Sequence, residues 1–133
     1  MSGVIVVGYL LANNAALLAE VPAVRIKSGD LPLNTVLPAI GIKEISGNTR
    51  KTVAMTEPKK LWTDRVQVTV FAKDYPKKKA ILKLVRAALP NTRATVNGVD
   101  CDSIIDDIVG PDFDDMAETI YQQSQDFIVK YNQ

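Results

Sequence analysis

Apolar residues near the start of the chain recur at the spacing of one helix face. They form a single stripe made of Val4, Val7, Leu10, Leu11, Leu17, Leu18 and Val21. This period predicts one amphipathic helix. The helix should end at Val21, because a residue that precedes proline is disfavoured in the α region. The apolar run breaks at Asn13 and is too short to cross a bilayer, so we interpret it as a buried helix rather than a signal or anchor.

Alternating apolar and polar residues predict the first strands. In Arg65-Val-Gln-Val-Thr-Val-Phe71 the valines share one face and the polar residues the other. A second strand is expected at Ala39–Ile45, ended by Ser46-Gly47-Asn48. No periodicity survives between residues 47 and 64. We therefore expect a long loop there, of the kind that usually has a function.

A second helix is expected after the valine-rich strand. Asp74 is placed as its N-cap, with Pro76 in the first turn and Pro90 just beyond the end near Leu89. Its spacing predicts a buried face and an opposite face that carries Lys79, Lys83 and Arg86. The expected buried residues are Ile81, Leu82, Val85, Ala88 and Leu89.

The last third of the chain contains a tight-turn signal at Asn97-Gly98. It separates short strand Arg93–Val96 from strand Val99–Ile108. An acidic loop is expected over residues 109–118, and a final strand over Thr119–Tyr131. One face of that strand should carry Gln125, Phe127, Val129 and Tyr131. These elements predict a single α+β domain over residues 1–133, with one mainly antiparallel sheet of four to five strands and two helices packed on one face.

The composition removes most catalytic chemistries. The chain has 133 residues, one cysteine (Cys101) and no histidine, so the commonest general base and metal ligand is missing and no internal disulfide can form. One cysteine cannot build a zinc site, and neither a phosphate-binding loop nor a nucleophile elbow is present. We expect no enzymatic activity and no cofactor. Alternating acids at Asp112, Asp114 and Asp115 are compatible with Ca²⁺ or Mg²⁺, but the glycine and closing glutamate of an EF-hand loop are missing, so no metal site is predicted.

The net charge is +1, yet its distribution is uneven. Most basic residues lie between Lys43 and Arg93, whereas residues 100–118 carry acids and no Lys or Arg. Two opposed blocks favour contact with another copy, while the alternative is charge solvated on exposed faces. If they meet, the candidate subunit-interface residues are Arg50, Lys51, Met55, Lys59, Lys60, Trp62, Asp112, Asp114 and Asp115. Trp62 is equally compatible with a lid over the core and with an interface anchor.

A basic cluster on the second expected helix could bind nucleic acid. A possible DNA-facing surface would consist of Lys77, Lys78, Lys79, Lys83 and Arg86. The chain nevertheless has 16 Lys+Arg against 15 Asp+Glu and no known DNA-binding motif. We favour the simpler interpretation that these side chains keep the outer face of the helix in water.

The order of several landmarks resembles a known family. Val24-Arg-Ile26 follows the first helix, and Leu37-Pro-Ala-Ile40 opens a strand. The valine-rich strand leads into Tyr75-Pro-Lys-Lys-Lys-Ala80, the helix ends in Val85-Arg-Ala-Ala-Leu89, and the last strand carries Ser124-Gln-Asp-Phe-Ile-Val-Lys-Tyr131. From about Leu10 to Tyr131 the chain resembles the tail-completion and tail-terminator proteins of tailed phages and prophages.

That resemblance implies a structural role. It implies a virion subunit with no catalytic residues, assembled in the bacterial host cytoplasm into a ring that is typically a hexamer. Such a ring caps the tail tube, ends tube polymerisation and docks to the head connector, leaving a channel for the genome. The expected partners are other copies of the chain, the tail tube protein and the head-completion protein, without a membrane. The alternatives are a head-closure, neck or tube protein of similar fold, and a DNA-associated regulatory domain.

Overall fold

The protein is a helix-covered sheet. The computed structural model describes residues 2–29, 31–32, 36–50, 61–117 and 119–133. Its helices are α1 (Ser2–Ala12), α2 (Ala15–Leu18) and α3 (Tyr75–Ala88), with a 3₁₀ turn at Ala23–Arg25. Its strands are β1 (Ile26–Ser28), β2 (Ala39–Arg50), β3 (Leu61–Ala72), β4 (Ala94–Val96), β5 (Val99–Val109) and β6 (Tyr121–Asn132). The α+β class is therefore confirmed.

The six strands lie in the order β1-β2-β3-β6-β5-β4. All neighbours are antiparallel except β1 and β2, which are parallel over Ile26–Ser28 and Ile40–Ile42. The expected four to five strands were too few, and the sheet is mixed. Strand β1 was missed because three residues are too short to show a period.

One face of the sheet carries the core. The apolar residues of β2, β3 and β6 alternate with polar ones, and the inward set packs against α1 and α3 in a single cluster. The expected inward face of α3 is buried, as are Gln125, Phe127, Val129 and Tyr131 of β6. Helices α1 and α3 thus cover the same face of the sheet, as the sequence predicted. We call the opposite face of the sheet the outer face.

The expected single helix from Val4 to Val21 is wrong. Helix α1 ends at Ala12, where the side-chain amide of Asn13 donates to the carbonyl of Tyr9 over 2.8 Å. Asn14 is extended, and its side-chain oxygen accepts from the backbone N–H of Leu17 at 3.0 Å. An asparagine that caps new helix N–H groups ends one helix and starts another. Even so, Leu17 and Val21 remain buried.

The end of the second strand was also misplaced. Strand β2 continues through Ser46-Gly47-Asn48 to Arg50, with a bulge between Glu44 and Ser46. Pairing with β3 supplies its hydrogen bonds, and this long-range partner overrides the local turn signal. The loop expected over residues 47–64 is therefore shorter, since β3 starts at Leu61. Residues 51–60 lie outside the described residues.

Candidate functional site

The acidic loop between β5 and β6 folds onto the start of helix α3. Asp74 caps this helix, its side chain accepting from the N–H of Lys77 at 2.8 Å, as the sequence predicted. The cap fixes the first turn so that Tyr75, Lys78 and Lys79 face the loop. Asp112 and Asp114 are two residues apart in the loop, which lets both carboxylates reach the same helix turn.

Lys78 is the centre of this contact. Its side chain is fully buried, and Nζ lies 2.8 Å from Oδ1 of Asp112 and 2.9 Å from Oδ1 of Asp114. The ammonium also lies 4.4 Å from the ring centre of Tyr75, within range of a cation–π attraction. Burial opposes its charge, but the hydrogen bonds to Asp112 and Asp114 outweigh it and raise the pKa of Lys78.

Asp112 collects three donors. Besides Lys78, the Nζ of Lys79 lies 2.8 Å from Oδ1, and the hydroxyl of Tyr75 donates to Oδ2 at 2.9 Å. Lys78, then Lys79 and Tyr75, hold the pKa of this carboxyl well below its usual range. We call Tyr75, Lys78, Lys79, Asp112 and Asp114 the loop latch, because together they fasten the acidic loop to α3.

The loop latch contains several residues to which the sequence had assigned other roles. Asp112 and Asp114 were expected at a subunit interface, yet their carboxylates are bound inside the chain. Asp115 lies in the same loop, where its Oδ1 accepts from the N–H of Ala117 at 3.1 Å. The expectation that Lys78 keeps the helix surface in water is wrong, since it is buried. The only sequence signal for the latch was a basic block that ends at Lys79 and an acidic block that begins 33 residues later, at Asp112. The sequence does not say whether these two blocks meet within one copy or between copies.

The possible DNA-facing surface is partly neutralised. Lys78 and Lys79 are bound by aspartates, and Lys77 lies 3.8 Å from Glu20. Lys83 is exposed on α3, and Arg86 donates to Oε1 of Gln125 at 3.2 Å. Since these pairs remove much of the excess positive charge, the arrangement offers little clustered charge to a phosphate backbone.

The remaining interface candidates fall in two groups. Trp62 on β3 is half-buried, packs against the core and stacks on Tyr131 with ring centres 6.4 Å apart, which favours the lid over the anchor. Arg50 is the last residue of β2. Lys51, Met55, Lys59 and Lys60 lie outside the described residues.

A second ionic cluster on the outer face was not predicted. Arg65 of β3 binds Asp107 of β5 and lies 3.2 Å from Asp126 of β6, so it spans three strands. Gln67 also donates to Asp126, at 3.4 Å. These partners raise the pKa of Arg65, Asp107 first and then Asp126. The register of the three strands creates this cluster, and no local sequence pattern announces it.

A groove of about 390 Å³ lies on the outer face, with Gly29 and Leu31 on one side and residues of the acidic loop on the other. Glycines and small polar residues form its floor, among them Gly41, Thr69 and Ser124. Lys43 is the one ionisable residue among its described lining residues, so no acid–base pair is assembled there. The described residues contain no group of three or more Asp, Glu or Cys that could hold a metal ion. Every helix in the described ranges is too short or too polar to span a membrane.

Comparisons with known proteins give the family. A family model described as "Tail completion protein gp17" matches residues 7–124. No curated protein matches the chain. A solved structure titled "Virion of native gene transfer agent (GTA) particle" contains a chain with a TM-score of 0.69 and 12% identity, covering 96% of this chain and 92% of that one. That likeness shows a shared fold. Because the family model spans most of its length, this chain belongs to the tail completion protein gp17 family, and it is a structural protein of the bacteriophage virion.

Proposed function

We propose that the chain forms a ring, most simply a hexamer, that caps the tail tube of a tailed phage. The ring ends tube polymerisation, docks to the head connector and leaves a channel through which the genome passes without sequence-specific contacts. The observation that carries the proposal is the tail completion family match over residues 7–124. Tail tube protein and head-completion protein are the partners, and assembly takes place in the host cytoplasm.

The chemistry of the described surfaces supports a structural rather than a catalytic role. The ionisable side chains of the loop latch hold each other within the fold. A ring needs two different surfaces on each subunit, one for each neighbour. The segment that includes Lys51, Met55, Lys59 and Lys60 is proposed as part of one of them. Because Lys78 holds Asp112 and Asp114 inside the chain, these two carboxylates are not proposed as the acidic partner surface.

Particles that lack the protein test its place in the virion. A tube-capping ring predicts overlong tails in electron micrographs, because nothing stops polymerisation of the tube. Supplying the wild-type gene should restore the normal length. Tails of normal length beside unjoined or leaking heads would instead assign the chain to head closure, and the absence of tails would assign it to the tube.

A charge reversal tests the proposed basic contact. The variant Lys59→Glu with Lys60→Glu should weaken assembly while leaving the stability of the monomer unchanged, because charges at a subunit contact act mainly on association. Lys83→Glu is the matched control, since Lys83 is an exposed lysine on α3. An oligomer unchanged by the double reversal would remove residues 59 and 60 from the interface.

A further inference from the structure

Strands β4 and β5 are joined by a two-residue turn at Asn97-Gly98. The pairing of Val96 with Val99 leaves only these two residues between the strands, and both are exposed. Their φ angles are 47° and 79°, the pair of positive values that defines a type I′ turn. In the described part of the chain, the N–H of Gly98 donates no turn or loop hydrogen bond. The backbone nitrogen that follows Asn97 is therefore open to solvent.

An asparagine side chain reacts with a following backbone nitrogen by a known chemical route. After a base removes the amide proton, the nitrogen of Gly98 attacks Cγ of Asn97. The new N–Cγ bond closes a five-membered imide, and Nδ2 takes a proton from water and leaves as ammonia. Water then opens the imide at either carbonyl. The product is aspartate or isoaspartate, in which the main chain runs through Cγ, and no oxidant or reductant is needed.

The residue after the asparagine decides how easily this nitrogen reacts. Asn97 is the one asparagine of the sequence that precedes glycine, which has no Cβ to crowd the attack. Even a Cβ at Gly98 would meet no atom beyond its chain neighbours within 4 Å, so the space beside the nitrogen is empty. Asn91, by contrast, precedes β-branched Thr92, and its Oδ1 accepts from the N–H of Ile104 at 3.2 Å.

The fold holds Asn97 close to the backbone geometry of the imide. The first central residue of a type II′ turn has positive φ and a ψ of about −120°. At that ψ, the chirality of an L residue places the following nitrogen beside Cβ, as the five-membered ring requires. In a type I′ turn ψ is about +30° instead. The two turns differ by a flip of the single peptide plane between Asn97 and Gly98, and glycine accepts φ of either sign.

This flip does not require the hairpin to open. Turns of types I′ and II′ both match the twist of paired strands, so β4 and β5 can stay paired while Asn97 reaches the reactive geometry. We propose that Asn97-Gly98 is a self-modifying site, at which Asn97 is converted through an imide to aspartate and isoaspartate in the folded protein. The site acts within one chain and goes beyond the ring proposed above.

Conversion to isoaspartate changes the hairpin. It adds one carbon to the main chain of a two-residue turn, which no longer matches the register of the strands. Strand β4 is only Ala94–Val96, and Ala94 pairs with the buried Cys101 of β5. A lengthened turn should therefore loosen β4 and make the thiol of Cys101 more accessible.

Incubation of the folded chain at mildly alkaline pH tests the chemistry. Peptide mapping by mass spectrometry should find an acid in place of the amide at residue 97, and an isoaspartyl methyltransferase should label part of the product. The rate should rise with pH, and it should be at most about tenfold lower than in the guanidinium-unfolded chain, because the flip leaves the hairpin paired. Asn91 is the internal control and should keep its amide. Conversion of Asn97 in the unfolded chain but not in the folded chain would overturn the proposal.

Thiol labelling tests the effect on β4. The isoaspartate form, separated by ion exchange, should be labelled at Cys101 severalfold faster than the unmodified chain. Freshly prepared Asn97→Asp is the matched control, since it carries the same added charge on a normal main chain, and it should be labelled like the wild type. Circular dichroism checks that all three forms are folded. Equal labelling of the isoaspartate form and the wild type would overturn the loosening of β4.

Discussion

The hydroxyl of Tyr131 donates a hydrogen bond of 2.9 Å to Oδ2 of Asp64, and both residues are buried in the core. The same carboxylate oxygen accepts from the backbone N–H of Gly3 at 3.1 Å. Asp64 on β3 thus joins the last strand to the first turn of helix α1. Its negative charge also lies where the helix dipole is positive. Burial raises the pKa of Tyr131, and the bond to Asp64 raises it further.

Tyr131→Phe should lower the free energy of unfolding by about 1–3 kcal/mol. The change removes a donor from a buried carboxylate, and the desolvated oxygen then has fewer partners. Urea denaturation at neutral pH measures the effect. Tyr9→Phe is the control, because the Tyr9 side chain is exposed and should change stability by less than about 0.5 kcal/mol. Equal effects of the two changes would argue against a stabilising role for the Asp64 contact.

Two glycines of α1 should respond to alanine in opposite directions. A Cβ at Gly3 would lie 2.8 Å from Oδ2 of Asp64, whereas one at Gly8 would lie 3.7 Å from Cδ1 of Ile42. Gly3→Ala should therefore cost about 1–3 kcal/mol through overpacking. Gly8→Ala should be neutral or gain up to about 1 kcal/mol, because alanine is the better helix former. Thermal unfolding of the two variants measures both, and a stabilising Gly3→Ala would contradict the close packing at Asp64.

Lys78→Met should loosen the acidic loop. The substitution keeps the stem of the side chain but removes the ammonium that Asp112 and Asp114 share, at a cost of about 1–3 kcal/mol. Hydrogen exchange of residues 110–115 should become faster than in the wild type. Lys83→Met is the control, since Lys83 is exposed. Unchanged exchange in the Lys78 variant would mean that the latch does not hold the loop.

The latch should make stability depend on pH on the acid side. The folded-state pKa of Asp112 is lowered by Lys78, then Lys79 and Tyr75, so its contribution is present in full above the unfolded pKa of about 3.9. That contribution is lost as pH falls through the folded-state pKa. The wild type should therefore exceed Asp112→Asn by a constant amount between pH 5 and about pH 8, and the gap should shrink below about pH 4. Denaturation midpoints at several pH values measure the gap, and a gap that widens in acid would contradict the prediction.

Cys101 should react slowly with thiol reagents in the folded protein. The residue is buried, and burial raises the pKa of its thiol, with Asp102 and Asp100 adding to the shift. A matched Ala87→Cys variant offers an exposed thiol on α3. It should be labelled on the order of a hundred times faster at neutral pH, because the thiolate is the nucleophile and needs access. Similar rates for the two thiols in native protein would show that β5 opens readily.

The sequence predicted the elements whose signals are local. Helix α3 was found because Asp74 supplies the N-cap and the apolar spacing defines one face. The turn at Asn97-Gly98 was found because an Asn-Gly pair favours positive φ angles at both positions. The structure has these angles, 47° at Asn97 and 79° at Gly98. Strand β6 was recognised from its alternation, and its inward residues are those expected. Each of these features is encoded within a few neighbouring residues.

The elements that were wrong or missed depend on distant partners. Strand β2 passes through Ser46-Gly47 because β3 pairs with it. Glycine is needed at position 47 because the Cβ of any other residue would lie only 2.8 Å from Oδ1 of Asp64. Similarly, Lys78 looked like a solvated lysine because the aspartates that neutralise it come more than thirty residues later.

The sequence alone determined the fold class, the helix α3, the valine-rich strand and the kinship with tail completion proteins, since periodicity, caps and landmark order are local properties. Tertiary structure decided which charges meet. It placed the acidic loop on α3 within one copy and joined Arg65 to Asp107 and Asp126. Strand order and register bring together residues that lie far apart in the sequence. Without that information, the pattern of charges along the chain does not show which acidic residue will contact which basic residue.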